Sequence, residues 1–264
     1  MDTFLNIFLP VLIFLSGLCI GSFLNVLAYR IPNELNPSEG RSKCPKCGHE
    51  LKAWELVPVF SYILLRGKCS KCKRKISLIY PIIELVTAAL YLALYLVFGI
   101  SYTFFLYLIV ITMMIVIIVI DYQHKYIPDR FNFGIIALAL VNALVVGFND
   151  LNLMLNHFIG LFVGFVLVLI VRTIGQVFFK KEAMGFGDVK LLAGIGFLLG
   201  WKAAIFTFFV GCILASLIEL SLMYTKLKAK DSEIAFGPYL IYAAIIYMFV
   251  GETLINLYLQ LIGG

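Results

Sequence analysis

The chain has 264 residues, 62% hydrophobic and 14% charged, with a formal net charge of +6 and a mean hydropathy of +1.01. A water-soluble domain of this size has too little interior to hide so much apolar surface. Several nearly charge-free runs of roughly 17 to 25 residues have the length needed to cross about 30 Å of hydrocarbon. The composition excludes a soluble globular enzyme and predicts an all-α, polytopic membrane protein.

The first apolar run, "FLNIFLPVLIFLSGLCIGSFLNVLAY", has no basic n-region, is long for a signal peptide and has no small-x-small cleavage site. Leu18 before Cys19 also argues against lipoprotein processing, so a retained first span is expected over 4–28. Further spans are predicted at 79–98, 103–120, 132–148, 156–174, 189–200, 203–224 and 237–258. The seventh of these eight, 203–224, is long and clear, whereas the sixth, 189–200, is short and Gly-rich.

Placing the N-terminus outside makes 29–78, 121–131, 175–188 and 225–236 cytoplasmic. Of the 21 Lys and Arg residues, all but Lys202 then fall in or within a few residues of those stretches. Positive charge flanking spans on the cytoplasmic side sets orientation, so this topology is the expected one. The net charge therefore reflects topology and contact with anionic lipid head groups rather than affinity for nucleic acid. The implied domains are a first span (1–28), a cytoplasmic loop domain (29–78) and a membrane core of about seven spans (79–264).

A fifty-residue loop needs a staple to be stable. "CPKCGHE" carries Cys44 and Cys47, and "CSKCKRK" carries Cys69 and Cys72, with 21 residues between the two pairs. Two such knuckles can aim four thiolates at one tetrahedral zinc ion, leaving no open position for water, which makes a structural site. Disulfides would need an oxidising compartment, against the predicted topology. A thioredoxin-like role lacks its βαβ pattern. His49 reads as a surface residue, and Cys19 and Cys212 as small buried residues of the spans. A zinc ribbon alone names no reaction, since it also serves as a docking module.

Acidic residues at the membrane edge are few, and each is a functional hypothesis. Asp121 follows "LYLIVITMMIVIIVI" at a helix C-terminus, where the backbone dipole disfavours a carboxylate. Asp188 stands in "GFGDVK", where an N-cap is the simple explanation. Gly185 and Gly187, however, permit a closer backbone approach than a cap requires. Both aspartates are expected at one membrane face and similar depth. Two carboxylates held together share a proton, so one can activate water while the other polarises a peptide carbonyl. Asp129 in "YIPDR" is a rival partner but reads better as a cap of the fourth span. Glu84 is placed to favour a helix N-terminus. Glu219, inside the seventh span, either snorkels or lines the site.

In chain order, "GSFLNVLAYRIP", the two cysteine knuckles, "ISLIYPIIE", "IDYQHKYIPD", "GFGDVKLLAGIGFLLGW" and "FGPYL" resemble the type IV prepilin peptidases, also called leader peptidases/N-methyltransferases. The Asp-x6-Pro-Asp and G-x-G-D-x-K elements carry the resemblance together. It implies eight spans in the bacterial inner membrane, Asp121 and Asp188 as catalytic pair, and Lys190 near the site. It also implies cleavage of a basic leader from prepilins and pseudopilins after a glycine, on the cytoplasmic face. Members that retain the cysteine loop commonly then methylate the new N-terminal amine with S-adenosylmethionine. No G-x-G-x-x-G loop marks a site for that donor.

Three other readings compete. A transporter would place its carboxylates nearer mid-bilayer. A membrane-tethered docking ribbon would leave the aspartates without a role. A protease of signal-peptide-like remnants also uses G-x-G-D, but the Pro-Asp element and cysteine loop favour the prepilin reading.

Overall fold

The computed structural model describes residues 2–37, 40–148, 150–179, 184–225 and 233–262. The lysines of the predicted cytoplasmic stretches at 180–181 and 226–230 lie outside the described residues. Those described are helical apart from most of the loop at 31–78 and the short connections, with no β-strand beyond two isolated bridges. Seven helices among them are long and apolar enough to cross a membrane. The chain forms two compact units, 1–116 and 117–264.

In the first unit, α1 (Asp2–Arg30) packs along α3 (Ile79–Phe98). The contact is close because α1 presents Gly17 and Gly21, one turn apart. A Cβ at Gly17 would lie 2.6 Å from the Ala88 Cα, and one at Gly21 would lie 2.7 Å from the Glu84 Cα. Small residues at this spacing let two helices approach backbone to backbone, where lipid offers no hydrophobic drive to hold them. The Asn25 side-chain amide adds a bond to the Tyr80 carbonyl at 3.2 Å. The first part of α4 (Tyr102–His124) meets α3 through a Tyr91–Thr112 hydroxyl pair at 2.6 Å and edge-to-face rings, Phe98 on Tyr107 among them.

Between α1 and α3 the loop contains a 3-10 turn (Ala53–Leu56) and one short helix, α2 (Phe60–Leu64). Val59 enters α2 at φ 59°, ψ −49°, and Phe60 N–H bonds back to the Pro58 carbonyl at 2.5 Å. This is a γ-turn centred on a β-branched residue, a strained conformation that persists only where neighbours hold it. The neighbour is Glu84, whose Oε2 accepts the Val59 N–H at 2.7 Å. Glu84 is therefore no simple dipole residue: it is buried in α3 and pins the loop to the helix pair.

In the second unit, α7 (Phe186–Leu199) is surrounded by α5 (Asp129–Gly147), α6 (Leu151–Phe179), α8 (Trp201–Tyr224) and α9 (Gly237–Ile246). It corresponds to the predicted span 189–200, but its 14 residues reach only about 21 Å, short of the hydrocarbon thickness. The sixth predicted span is thus a short helix, buried from Val189 to Leu198 except at Lys190. Glycine again sets the distance. Gly160 and Gly196 meet backbone to backbone, and Gly164 meets the Leu192 carbonyl. His157 of α6 adds a bond from Nδ1 to the Phe197 carbonyl at 2.9 Å. Gly200, at φ +90°, makes the turn into α8 that a side chain would obstruct. After α9 a π-turn (Tyr247–Gly251) leads into α10 (Glu252–Ile262).

Candidate active site and metal centre

In the second unit, α4 extends past its apolar run, so Asp121 sits in the last turn and is 4% exposed. Asp188 lies one step deeper than the sequence suggests. Gly185 is the N-cap of α7, and Asp188 occupies the first turn, its side chain turned back towards the Gly185 amide. A carboxylate there is favoured by the helix N-terminus, so the local cost of burying it is reduced.

The two carboxylates converge on Gly237, the first residue of α9. A Cβ on Gly237 would stand 2.8 Å from Asp121 Oδ2 and 3.5 Å from Asp188 Oδ1. The missing side chain is what leaves room between the two groups, and the Gly237 amide faces the Asp121 carboxylate. Ile127 closes the other side. It packs against the Gly187 and Gly237 positions, whose added Cβ atoms would be 3.0 and 2.8 Å away. Gly187 is thus needed for packing against Ile127. The buried Asn132 of α5 holds this turn through a bond from Nδ2 to the Gly187 carbonyl at 3.3 Å.

Asp129 takes no part in this meeting. Pro128 is the N-cap of α5, and Asp129 pairs with Lys190, Nζ to Oδ1 at 2.7 Å. Lys190 also lies over the rings of Phe133 and Phe186. The ion pair ties the Pro-Asp turn to α7 two residues beyond Asp188.

Sequence reasoning missed one feature and left another open. Gly237 stood unremarked inside "FGPYL", although a glycine directly before a helix-starting proline signals a tight approach. Glu219 does not snorkel: it is buried and accepts a bond from the Tyr239 hydroxyl at 2.7 Å. Tyr239 sits edge-on to Tyr122, the neighbour of Asp121, so this pair braces α9 against the end of α4.

In the first unit the four cysteines come together, with all their Sγ atoms within 4.8 Å of one another. A regular tetrahedron with Zn–S of about 2.3 Å has S···S edges of about 3.8 Å, so a small contraction would enclose a metal ion. The two knuckles are built alike. Cys44 N–H bonds the His49 carbonyl at 2.8 Å, and Cys69 N–H bonds the Arg74 carbonyl at 3.0 Å, each beside an isolated β-bridge. Gly48 at φ +68° closes the first turn and Lys73 at φ +58° the second. The Cys72 amide, joined by that of Lys71, outweighs burial and holds the Cys69 thiol down to about 6, favouring the metal-binding thiolate.

His49 is not a fifth ligand. It pairs with Glu55, Nε2 to Oε2 at 3.4 Å, and Glu55 also accepts the Lys52 N–H at 2.7 Å. Burial pushes the Glu55 carboxyl up, but the Lys52 amide, the Ser70 side chain and His49 more than offset it, so the group lies below its ordinary range. Cys19 is exposed on α1 and Cys212 half-buried, so neither is the buried core residue the sequence suggests.

Residues 15–98 match the Bacterial Peptidase A24 N-terminal domain, and residues 108–220 match the Type IV leader peptidase family. Among similar proteins, a Prepilin leader peptidase/N-methyltransferase of Pseudomonas putida is 31% identical over 270 residues, covering 94% of this chain and 92% of that one. One of Bacillus subtilis is 31% identical, covering 96% and 99%, and one of Neisseria gonorrhoeae 34% identical, covering 84% of each. No solved structure matches the chain. With relatives this similar over nearly the whole of both chains, the protein belongs to the type IV leader peptidase family.

Proposed function

We propose that this protein is a membrane aspartyl endopeptidase that removes the basic leader of prepilins or pseudopilins at the cytoplasmic face, then methylates the new N-terminal amine. One observation carries the reading: carboxylates from the ends of two different helices face a single glycine that leaves space between them. At neutral pH such a pair binds one proton. The ionised aspartate takes a proton from water as the oxygen attacks the scissile carbonyl, and the protonated one donates to the developing oxyanion. The proton is then returned to the leaving amine. A helical substrate hides its carbonyls in intrahelical bonds, so the segment to be cut enters unwound.

The released amine is the nucleophile of the second reaction. In its neutral form the amine offers a lone pair and gives up a proton to water. S-adenosylmethionine supplies the methyl group when bound. Cys44, Cys47, Cys69 and Cys72 would hold zinc, which supplies a cross-link between the two knuckles and no chemistry.

The experiment is incubation of purified protein with a prepilin in detergent, reading leader removal and the mass of the mature N-terminus. Wild type removes the leader and adds one CH₂. Asp121→Asn and Asp188→Asn each lose cleavage by about 100-fold or more while remaining folded. Cleavage at near wild-type rate by either variant would remove the dyad from the mechanism.

A further inference from the structure

Thirteen consecutive residues of the loop, 53–65, carry a single charge, Glu55, and that one is buried. Cations bracket the stretch: Lys52 before it, Arg66 and Lys68 after it, all three exposed. Within it Trp54, Leu56, Val57, Phe60, Ile63 and Leu64 are each between 42% and 66% exposed. Phe60, Ile63 and Leu64 stand at i, i+3 and i+4 of α2 and so share one face. The other side is tied inward, since the Tyr62 hydroxyl donates to the Ile76 carbonyl at 3.2 Å. Six large apolar side chains exposed within eleven residues exceed the scattered exposure of an ordinary loop and mark an interaction surface.

The depth of this stretch says what covers it. The Val59 N–H reaches Glu84, five residues after the first of α3, about 7.5 Å along that helix. Leu56 and Pro58 line a cleft of about 270 Å³ with Cys19, Ser22, Phe23 and Val26 of α1. Those α1 residues lie four to eleven positions before Arg30, where the helix ends, or about 6 to 17 Å back along it. Segment 56–59 therefore sits beside the apolar lengths of both spans, not beyond their ends. Its backbone is satisfied as hydrocarbon requires. Pro58 has no N–H, Val59 gives its own to Glu84, and those of Phe60, Ser61, Ile63 and Leu65 go to carbonyls of residues 57 to 61.

We propose that residues 53–65 are an in-plane membrane anchor. The face formed by Trp54, Phe60, Ile63 and Leu64 enters the acyl chains of the leaflet on the loop's side. Lys52, Arg66 and Lys68 bind the phosphates of anionic phospholipids at its rim. Trp54 suits this boundary, its ring being apolar with one N–H donor at the edge. The loop 29–78 holds eleven Lys and Arg against four Glu, so its field favours an anionic surface over a second copy of itself. So short an element would bind a membrane weakly alone, but α1 and α3 hold both its ends there already. Part of the stretch that the sequence assigns to the cytoplasm is then embedded in the leaflet, and it keeps the cysteine knuckles against the bilayer surface.

The chain has two tryptophans, so Trp201→Phe leaves Trp54 as the single reporter. The test places this full-length variant in nanodiscs of phosphatidylcholine or phosphatidylglycerol, brominated near the head-group end or near the tip of the acyl chain. Bromine near the head group should quench Trp54 about twofold more than bromine near the tip. Brominated phosphatidylglycerol should quench more than brominated phosphatidylcholine at the same mole fraction. Lys52→Gln, Arg66→Gln and Lys68→Gln together should abolish the second difference and keep the first. Phe60→Trp in a background of Trp54→Phe and Trp201→Phe puts a second reporter on α2, and it should be quenched as well. If acrylamide reaches both reporters freely and no brominated lipid quenches them, the stretch stands in water and the anchor is overturned. Protection from acrylamide without lipid quenching, with cross-links between copies or to a prepilin, means that a protein covers the face and overturns it equally. Equal quenching by the two lipids in the Trp201→Phe protein removes the anionic head groups from the proposal.

Discussion

Gly237 is the residue on which the proposed chemistry turns, although it carries no functional group. Adding a methyl group there sets a carbon 2.8 Å from Asp121 Oδ2 and the same distance from Ile127 Cδ1, so something must shift. The expected result for Gly237→Ala is a loss of cleavage of about 100-fold with both aspartates intact, since displacement by about 1 Å suffices for that. Circular dichroism and detergent-extractable yield should stay near wild type. Full activity in this variant would mean that the space between the carboxylates is not where the scissile bond sits. Asp129→Asn makes the contrast. Its partner Lys190 is partly exposed and Asp129 more so, and such a pair contributes at most about 1 kcal/mol of stability. Cleavage should survive that change. A collapse in rate comparable to that of Asp188→Asn would move Asp129 into the mechanism. Tyr239→Phe removes the hydroxyl that donates to the buried Glu219 carboxylate. A fall in kcat with KM unchanged would mark Tyr239 as a positioning residue, and rescue by Glu219→Gln in the same background would tie the effect to that bond.

At the scale of elements, the cysteine loop and the helix packing obey different rules. The loop is held by two turns, a γ-turn and the Glu84 contact, and its own apolar core is small. Chelation should raise the count of reactive thiols by four and speed hydrogen exchange across 29–78, while the spans remain inserted. One zinc per chain by native mass spectrometry is the companion expectation, and Cys44→Ser with Cys47→Ser should abolish it. Lys73 sits at φ +58° where the sister knuckle has Gly48 at φ +68°. Lys73→Gly should therefore stabilise the loop by about 1 kcal/mol, seen as slower exchange at residues 69–75. The helices depend on shape instead. α6 and α7 touch through Gly160, Gly164 and Gly196, so Gly164→Leu should destabilise the second unit and lower its melting temperature, because backbone rather than a movable side chain occupies the space.

For the whole molecule, the sharpest expectation concerns the two reactions. Activated water is needed for the first and not for the second, which needs a neutral amine and a bound donor. Asp121→Asn given pre-cut substrate should still add the methyl mass. Loss of both activities on that substrate would mean that the reactions share a site.

Much of the molecule can be read locally, and that is why the sequence by itself determined it. Hydropathy is a property of consecutive residues, so the apolar runs, the all-helical membrane class and the loop at 29–78 are legible without coordinates. The four cysteines were equally plain, because each knuckle is one tight turn and 21 residues suffice to bring the two turns together. The sequence also singled out Asp121 and Asp188 by their odd positions. What it could not supply was their common neighbour, since Gly237 lies 116 residues after the first and 49 after the second. Only the tertiary structure decided that 186–199 is a short helix walled in by four others, because length and hydropathy do not say what surrounds a segment. It decided as well that Glu84 pins Val59, that Glu219 meets Tyr239, and that loop and helices together line one cavity. These are contacts between distant residues, fixed by how closely glycine lets helices approach, and no local pattern encodes them.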